Sequence, residues 1–476
     1  MLFAIPDHPW VDEKDGAAVR IAMTVAAKSK EIGVHLIVTD ESGAPDEIDF
    51  AMNHARIGSN LGTGADVTSA ITLKANSKLA SRGIPLHGQG FLLDSDDVAF
   101  IGFRASPELP EIVVPYRNGR DLAARPRGKW VIDTYGLSES DLRERYPNAY
   151  QRLLTHVKPE RDQNKRGHRA EKWWLHGEPV EMLRQGRRGL NRYIATVETA
   201  KHRVFQFLPT TILPDNMLVC IAMEDAYALG VLSSRASVVW ALAAGGDLGP
   251  TPRYNKSACF DPFPFPADGP EPLKERIRAE AEALDALRKR VLAEHDDLTL
   301  TGIYNVLEAL REGRALSAAE REVHDRGLVT LIRQHHDAID ALVAQAYGWP
   351  ADLPDEEVLL RLVALNKARA AEEAKGLVRW LRPEFQAPGY AAPIAQTLDL
   401  GEVAAPLPDN VIPWPAKLEE QVCAVQAILT TAPAPLAPQD IARAFRGKRA
   451  ATVRPVLDAL AGIGMARRLH DGRYAA

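Results

Sequence analysis

Ala17-Ala18-Val19-Arg20-Ile21-Ala22-Met23-Thr24-Val25-Ala26 and, after an interval containing Gly33, Val34-His35-Leu36-Ile37-Val38 are the stretches on which the reading of the fold turns. Both are short and apolar, with β-branched residues spaced as in strands. The glycine-bearing interval suits a hairpin between them. Two strands bury too little surface to stand as a domain. The pair therefore reads as the end of a sheet whose other strands lie elsewhere, and residues 1–40 as trailing strands rather than a complete unit.

Working outward, residues 41–83 form a connecting segment. Its glycine cluster, Gly58 to Gly64, is not fed by a clear strand and is read as a loop, not a nucleotide cradle. Residues 84–268 are mixed α/β, with strands expected at Val98–Phe103, Ile112–Pro115, Tyr193–Thr196 and Val204–Leu208. The run Pro262-Phe263-Pro264-Phe265-Pro266 stops regular structure. Residues 269–386 have helical spacing of apolar positions, as at Ile277, Leu284, Leu287 and Leu292. A Pro- and Ala-rich linker spans 387–415. Residues 416–476 read as three helices and a short β-wing, a winged helix with Lys448, Arg449 and Arg454 at its third helix. The expected fold class is mixed α/β, ending in a helical region and this winged helix.

Charge is segregated. From Arg117 to Arg203 there are 20 Lys/Arg against 11 Asp/Glu, a net +9 in a chain of net −5, which leaves −14 for the rest. A basic segment in an acidic protein points to a polyanionic partner, most simply a phosphate backbone; the other reading is a solvated basic face. The candidate DNA-binding residues fall in groups: Arg117, Arg120, Arg125, Arg127 and Lys129; Lys165, Arg166 and Arg169; Arg187, Arg188 and Arg192; and Lys201, His202 and Arg203. Most are expected on phosphates and a few on guanine edges. Trp173-Trp174 reads as one core and one surface residue, and His335-His336 as surface polar residues.

Three well-separated cysteines form no metal-ligand spacing and suit a reducing, cytoplasmic compartment. No apolar run reaches the length of a membrane span, and the N-terminus has no basic, apolar leader pattern. No metal, membrane or nuclease signature stands out.

Several passages carry a resemblance. Asp7-His8-Pro9-Trp10 followed by Gly16 to Ile21, Leu86-His87-Gly88-Gln89-Gly90-Phe91, Arg192-Tyr193-Ile194-Ala195-Thr196, Tyr254 to Pro266, Tyr347-Gly348-Trp349-Pro350 and Arg379 to Pro383 together resemble the C-terminal portion of large type II restriction-modification methyltransferases. These are class I, S-adenosyl-L-methionine-dependent, adenine-N6 DNA methyltransferases with their own target-recognition domain. The resemblance implies that residues 1–40 end the catalytic sheet and 84–268 recognise DNA. The family holds a flipped adenine with Asn-Pro-Pro-Tyr or Asn-Pro-Pro-Phe. Neither tetrapeptide occurs here, nor does the glycine-rich cofactor loop that precedes it. The resemblance thus implies that no catalytic residue lies in this chain. It also implies that S-adenosyl-L-methionine binds only in the complete enzyme and that a catalytic methyltransferase polypeptide is a partner. The alternative is a stand-alone winged-helix DNA-binding regulator without catalysis.

Overall fold

Strand β1 (Phe3–Trp10) lies at the middle of a four-stranded sheet with β2 (Val19–Val25), β3 (Gly33–Asp40) and β4 (Asp49–Ala55), in the order β2-β1-β3-β4. The structure is a computed structural model and describes residues 1–10, 19–28, 31–41, 48–58, 61–101, 111–163, 167–248, 251–266, 269–389, 412–431, 436–462, 465–468 and 472–475. Lys165, Arg166 and most of the expected 387–415 linker lie outside these residues, as do Ala17 and Ala18.

The expected hairpin between β2 and β3 does not form. The Asp7-His8-Pro9-Trp10 passage is itself a strand and lies between them, antiparallel to β2 and parallel to β3. Gly33 marks a close backbone approach instead of a turn: a Cβ there would sit 2.6 Å from the Met1 carbonyl oxygen. Strand β4 was not expected, since Asp49–Ala55 lacks a clear apolar alternation. Ala4, Ile5 and His35 are buried, whereas Val25, Ile37, Phe50 and Met52 are exposed.

The centre of the chain is built on two further sheets. One has the order β10 (Gln206–Pro209), β9 (Arg192–Val197), β12 (Leu218–Ile221), β5 (Ala80–Arg82). The other has the order β11 (Leu213–Pro214), β7 (Val113–Arg117), β8 (Trp130–Ile132), β6 (Leu92–Leu93). Successive side chains of a strand face opposite ways, and β9 and β12 use both sides. Tyr193, Ala195, Leu218 and Cys220 enter one apolar cluster with Val131, Leu153 and Trp173. Ile194, Val219 and Ile221 enter a second, with Phe205, Trp240 and Ile277. Burial on both faces explains why Tyr193-Ile194-Ala195 of β9 and all of β12 are apolar without alternation.

The helices on the first cluster are short: α1 (Ser95–Ile101), α2 (Gly119–Ala123), α3 (Glu139–Arg145), α4 (Pro147–His156), α5 (Lys158–Asp162), α6 (Gly167–Glu171) and α7 (Glu181–Gly186). Helix α1 replaces the strand expected from Val98. Its start is fixed by Asp94 and Asp97, each accepting from the other's backbone N–H at 3.1 and 2.9 Å. That reciprocal capping outweighs the β-like run after it. The second cluster receives α8 (Ala226–Ser233), α9 (Arg235–Gly245), α10 (Glu271–Glu294), α11 (Leu300–Arg311), α13 (Val329–Tyr347) and α14 (Asp355–Ala374). The short, polar α12 (Ala318–Arg326) intervenes. Among the described residues no single helix is long and apolar enough to cross a membrane; α8 and α9 are bent 62° apart. His336 is buried, with Nε2 2.7 Å from the Tyr304 hydroxyl. Its place on the inner face of α13 corrects its surface reading, whereas His335 meets Glu280 at the surface.

The first compact unit spans Met1–Tyr390 and the second Ala391–Ala476. Among the described residues the second contains three helices, Leu418–Thr431, Pro438–Arg443 and Ala450–Gly462, and a two-stranded pairing of Arg467–Arg468 with Tyr474–Ala475. Val425, Ile441, Phe445, Val453, Leu457 and Tyr474 form its core. Arg446, Lys448, Arg449 and Arg454 are exposed around the start of the third helix.

Candidate nucleic-acid interface

The basic segment divides by what its side chains already hold. Asp121, buried in α2, closes a capping box with Asn118 and grips Arg127 through two bonds, Nε–Oδ1 2.8 Å and Nη2–Oδ2 3.1 Å. Burial alone would raise the Asp121 carboxyl, but these hydrogen bonds hold it below its ordinary value. Arg125 reaches the end of α10 and pairs with Asp296 at 2.6 Å. Arg192 forks onto Glu282. Lys201 joins Asn305 and Glu308 at 2.9 and 2.7 Å, and His202 Nε2 lies 2.7 Å from the same Asn305 oxygen. Arg203 is buried over the Tyr254 ring and donates to Thr196, Val197 and Pro252. Arg187 donates to the Thr210 carbonyl and lies over Tyr193.

These contacts tie the sheets to one another and to the long helices. Arg125, Arg127, Arg192 and Arg203 thus each have partners within the chain. Arg117 is half-buried, donates to the Tyr116 carbonyl, and its guanidinium is pushed down by burial. Lys129 is half-buried, and Arg120 is exposed.

Three cavities collect what remains. One, of about 520 Å³, lies between α2, β9 and the start of α11 and brings Arg120, Lys201 and His202 together. A second, of about 390 Å³, is lined by Tyr135, Arg161, His168, Arg169, Lys172 and Arg184, among others. A third, of about 300 Å³, is lined by Tyr135, Arg184, Arg187, Arg188 and Thr210, among others. The last two share Tyr135 and Arg184, so they form adjoining hollows on one face.

Between these hollows, Arg184 donates to both Asp133 oxygens at 2.8 and 2.9 Å and stacks on Tyr135, its guanidinium carbon 4.1 Å from the ring centroid. Burial opposes ionisation of Asp133, yet the Arg184 hydrogen bond keeps its carboxyl below the ordinary range. Burial pushes the His176 imidazole down, and Nε2 lies 2.9 Å from the Ile132 carbonyl. The hollow's wall depends on Gly177, where a Cβ would overlap the ring of His87. Arg188, Lys172 and His168 are exposed, and no side-chain hydrogen bond or ion pair is formed by them with the described residues.

Trp173 is buried, edge-on to Tyr150 and Trp174, and Trp174 donates to the Leu137 carbonyl at 3.0 Å. Both tryptophans pack the structure. The accessible aromatic is Tyr135, 39% exposed, which the sequence reading missed. Its signal was present: an aromatic directly before Gly136, whose φ of +84° turns the chain just after a strand.

No protein-family model matches the chain. Over 150 residues, 31% of its length, it is 29% identical to DNA methyltransferase A of Bacillus subtilis (strain 168), covering 14% of that protein. The type IIL restriction-modification enzyme MmeI, solved in complex with DNA, aligns at a TM-score of 0.57 and 17% identity, over 78% of this chain and 46% of that one. The chain resembles part of a restriction-modification DNA methyltransferase. It spans about half the length of the MmeI chain, and the MmeI likeness is one of fold. A second alignment, to the type IIG restriction endonuclease BpuSI, has a TM-score of 0.29 and carries no weight.

Asn-Pro-Pro-Tyr and Asn-Pro-Pro-Phe are absent from the sequence, and the three cavities above are lined by residues outside the N-terminal sheet. No step of methyl transfer is derived through them.

Proposed function

We propose that this chain is the target-recognition portion of a site-specific adenine-N6 DNA methyltransferase in a restriction-modification or related defence system. It binds duplex DNA, while a separate catalytic portion binds S-adenosyl-L-methionine and transfers the methyl group. The observation that carries this reading is the pair of adjoining hollows, with Lys172 and Arg188 exposed at their margins and in no ion pair with the described residues. Phosphate contacts from such cations fix the register of a duplex, and a smaller number of side chains read base edges.

The C-terminal unit is read as a winged helix. Arg454 on its third helix and Arg446, Lys448 and Arg449 just before it are exposed to solvent, a second basic surface suited to the backbone. The exposed apolar residues of the N-terminal sheet favour a subunit or portion of a larger enzyme over a stand-alone regulator.

The test is duplex binding by anisotropy across a salt series. Engagement of about six phosphates gives a log–log slope near −5. A salt-independent affinity would overturn the assignment. Methyl transfer to DNA by the purified chain alone would overturn the division of labour.

A further inference from the structure

Arg161 and Arg169 are 1% and 7% exposed, close enough for their like charges to repel, and both line the 390 Å³ cavity. Arg161 is held by the Leu86 and Leu175 carbonyls at 2.9 and 3.1 Å and lies beside Phe91. Arg169 forms no side-chain hydrogen bond or ion pair with the described residues, and its Nε is buried without a partner. The exposed Lys172 lines the same space.

The carboxylates around the cavity are engaged elsewhere. Glu178 pairs with Arg82, Glu181 accepts from the Tyr135 hydroxyl, and Asp133 holds Arg184. Two guanidiniums are thus buried together; Glu160 acts on Arg161 from a distance, and among the described residues no carboxylate forms an ion pair with either. Burying a charge without a counter-charge is costly, and an unpaired buried donor adds its own penalty. A guanidinium fork is matched to the oxygens of a tetrahedral oxyanion, and an ammonium adds a point charge.

We propose that the cavity bounded by Arg161, Arg169 and Lys172 is a phosphate-binding site. Arg169 and Lys172 contact the phosphate oxygens, while Arg161, fixed by two carbonyls, supplies field from beneath. The inference deepens the DNA-binding reading, on which it rests only for the owner of the phosphate: a DNA strand or a free phosphate compound.

The first arm uses the full chain and inorganic phosphate, with chloride at equal ionic strength as the reference. Phosphate is expected to raise the melting temperature above that reference. Arg169→Gln should abolish the rise and Lys172→Gln should shrink it, while Arg290→Gln on α10 leaves it intact. Lys172 is exposed, so its variant tests the site even where Arg169→Gln misfolds. The absence of a phosphate-specific rise, or an undiminished rise in both Arg169→Gln and Lys172→Gln, overturns the site.

The second arm measures duplex affinity against salt. A slope shallower by about 0.9 in Arg169→Gln assigns the phosphate to DNA. An unchanged slope, with the phosphate response lost, assigns it to a free phosphate compound. Absence of duplex binding with the phosphate response intact removes the DNA-recognition reading and leaves the site standing.

Discussion

Arg203 and Arg188 belong to one basic stretch and do opposite things. Arg203 points inward, over Tyr254, with two carbonyls and a hydroxyl around its guanidinium. Arg188 points outward at the margin of a hollow, with no partner among the described residues. The difference shows that a net charge read along a chain counts two populations. One population is consumed in holding sheets and helices together. The other is available to a ligand, and only the second sets the salt dependence of binding.

The largest expected effect breaks the inward population. Arg203→Ala removes the donor to the Val197 carbonyl and the Thr196 hydroxyl and opens a void beside Tyr254, at a cost of about 3 kcal/mol in urea unfolding. An unchanged urea midpoint would place Arg203 among the available cations.

A second inward charge acts with the reverse sign. Burial raises the carboxyl of Asp340 to about 6, although its Oδ1 accepts from the Arg235 N–H at 2.6 Å. The native state then binds more protons than the unfolded state between the ordinary aspartate value and about pH 6, so this group's contribution falls as pH rises through that window. Asp340→Asn keeps an acceptor and removes the charge. It should stabilise the chain by about 3 kcal/mol above pH 6, with the gain fading by about pH 4. A gain of equal size at both ends of the pH series would exclude Asp340 titration as its origin.

A milder test concerns an ion pair at the boundary between the populations. Lys201→Met removes the link to Glu308, whose carboxyl is lowered by that same hydrogen bond. Because the pair is substantially exposed, the expected loss is about 0.5 kcal/mol. A larger loss in a thermal melt would move Lys201 fully into the inward group. The smallest stability effect belongs to Arg188→Gln, within about 0.5 kcal/mol of the parent. The duplex-binding slope should nonetheless become shallower by about 0.9. An unchanged slope would remove Arg188 from the interface.

Local patterns were legible in the sequence. Strands β9 and β10 lie close to their expected positions, and the spacing of Ile277, Leu284 and Leu287 marked the buried face of α10. The segregation of charge was equally visible. What was not legible came from far along the chain. Arg125, Arg192 and Lys201 find Asp296, Glu282 and Glu308, and no local rule connects those pairs. The β2–β3 hairpin failed for a related reason: a preceding strand competed for the same edge. His336 looked solvated because His335 and Asp337 flank it, yet helical phase turns it toward Tyr304.

The second apolar cluster has a consequence for inheritance. It contains Ile194 and Phe207 from the central sheet together with Ile277, Leu284 and Val291 from α10. A genetic crossover between residues 266 and 271 would separate halves of one core, and a recombinant made there would have to match two interiors. Whole-segment exchange therefore favours pieces that carry the long helices along, while single-residue drift at the rim of the hollows is free of that constraint.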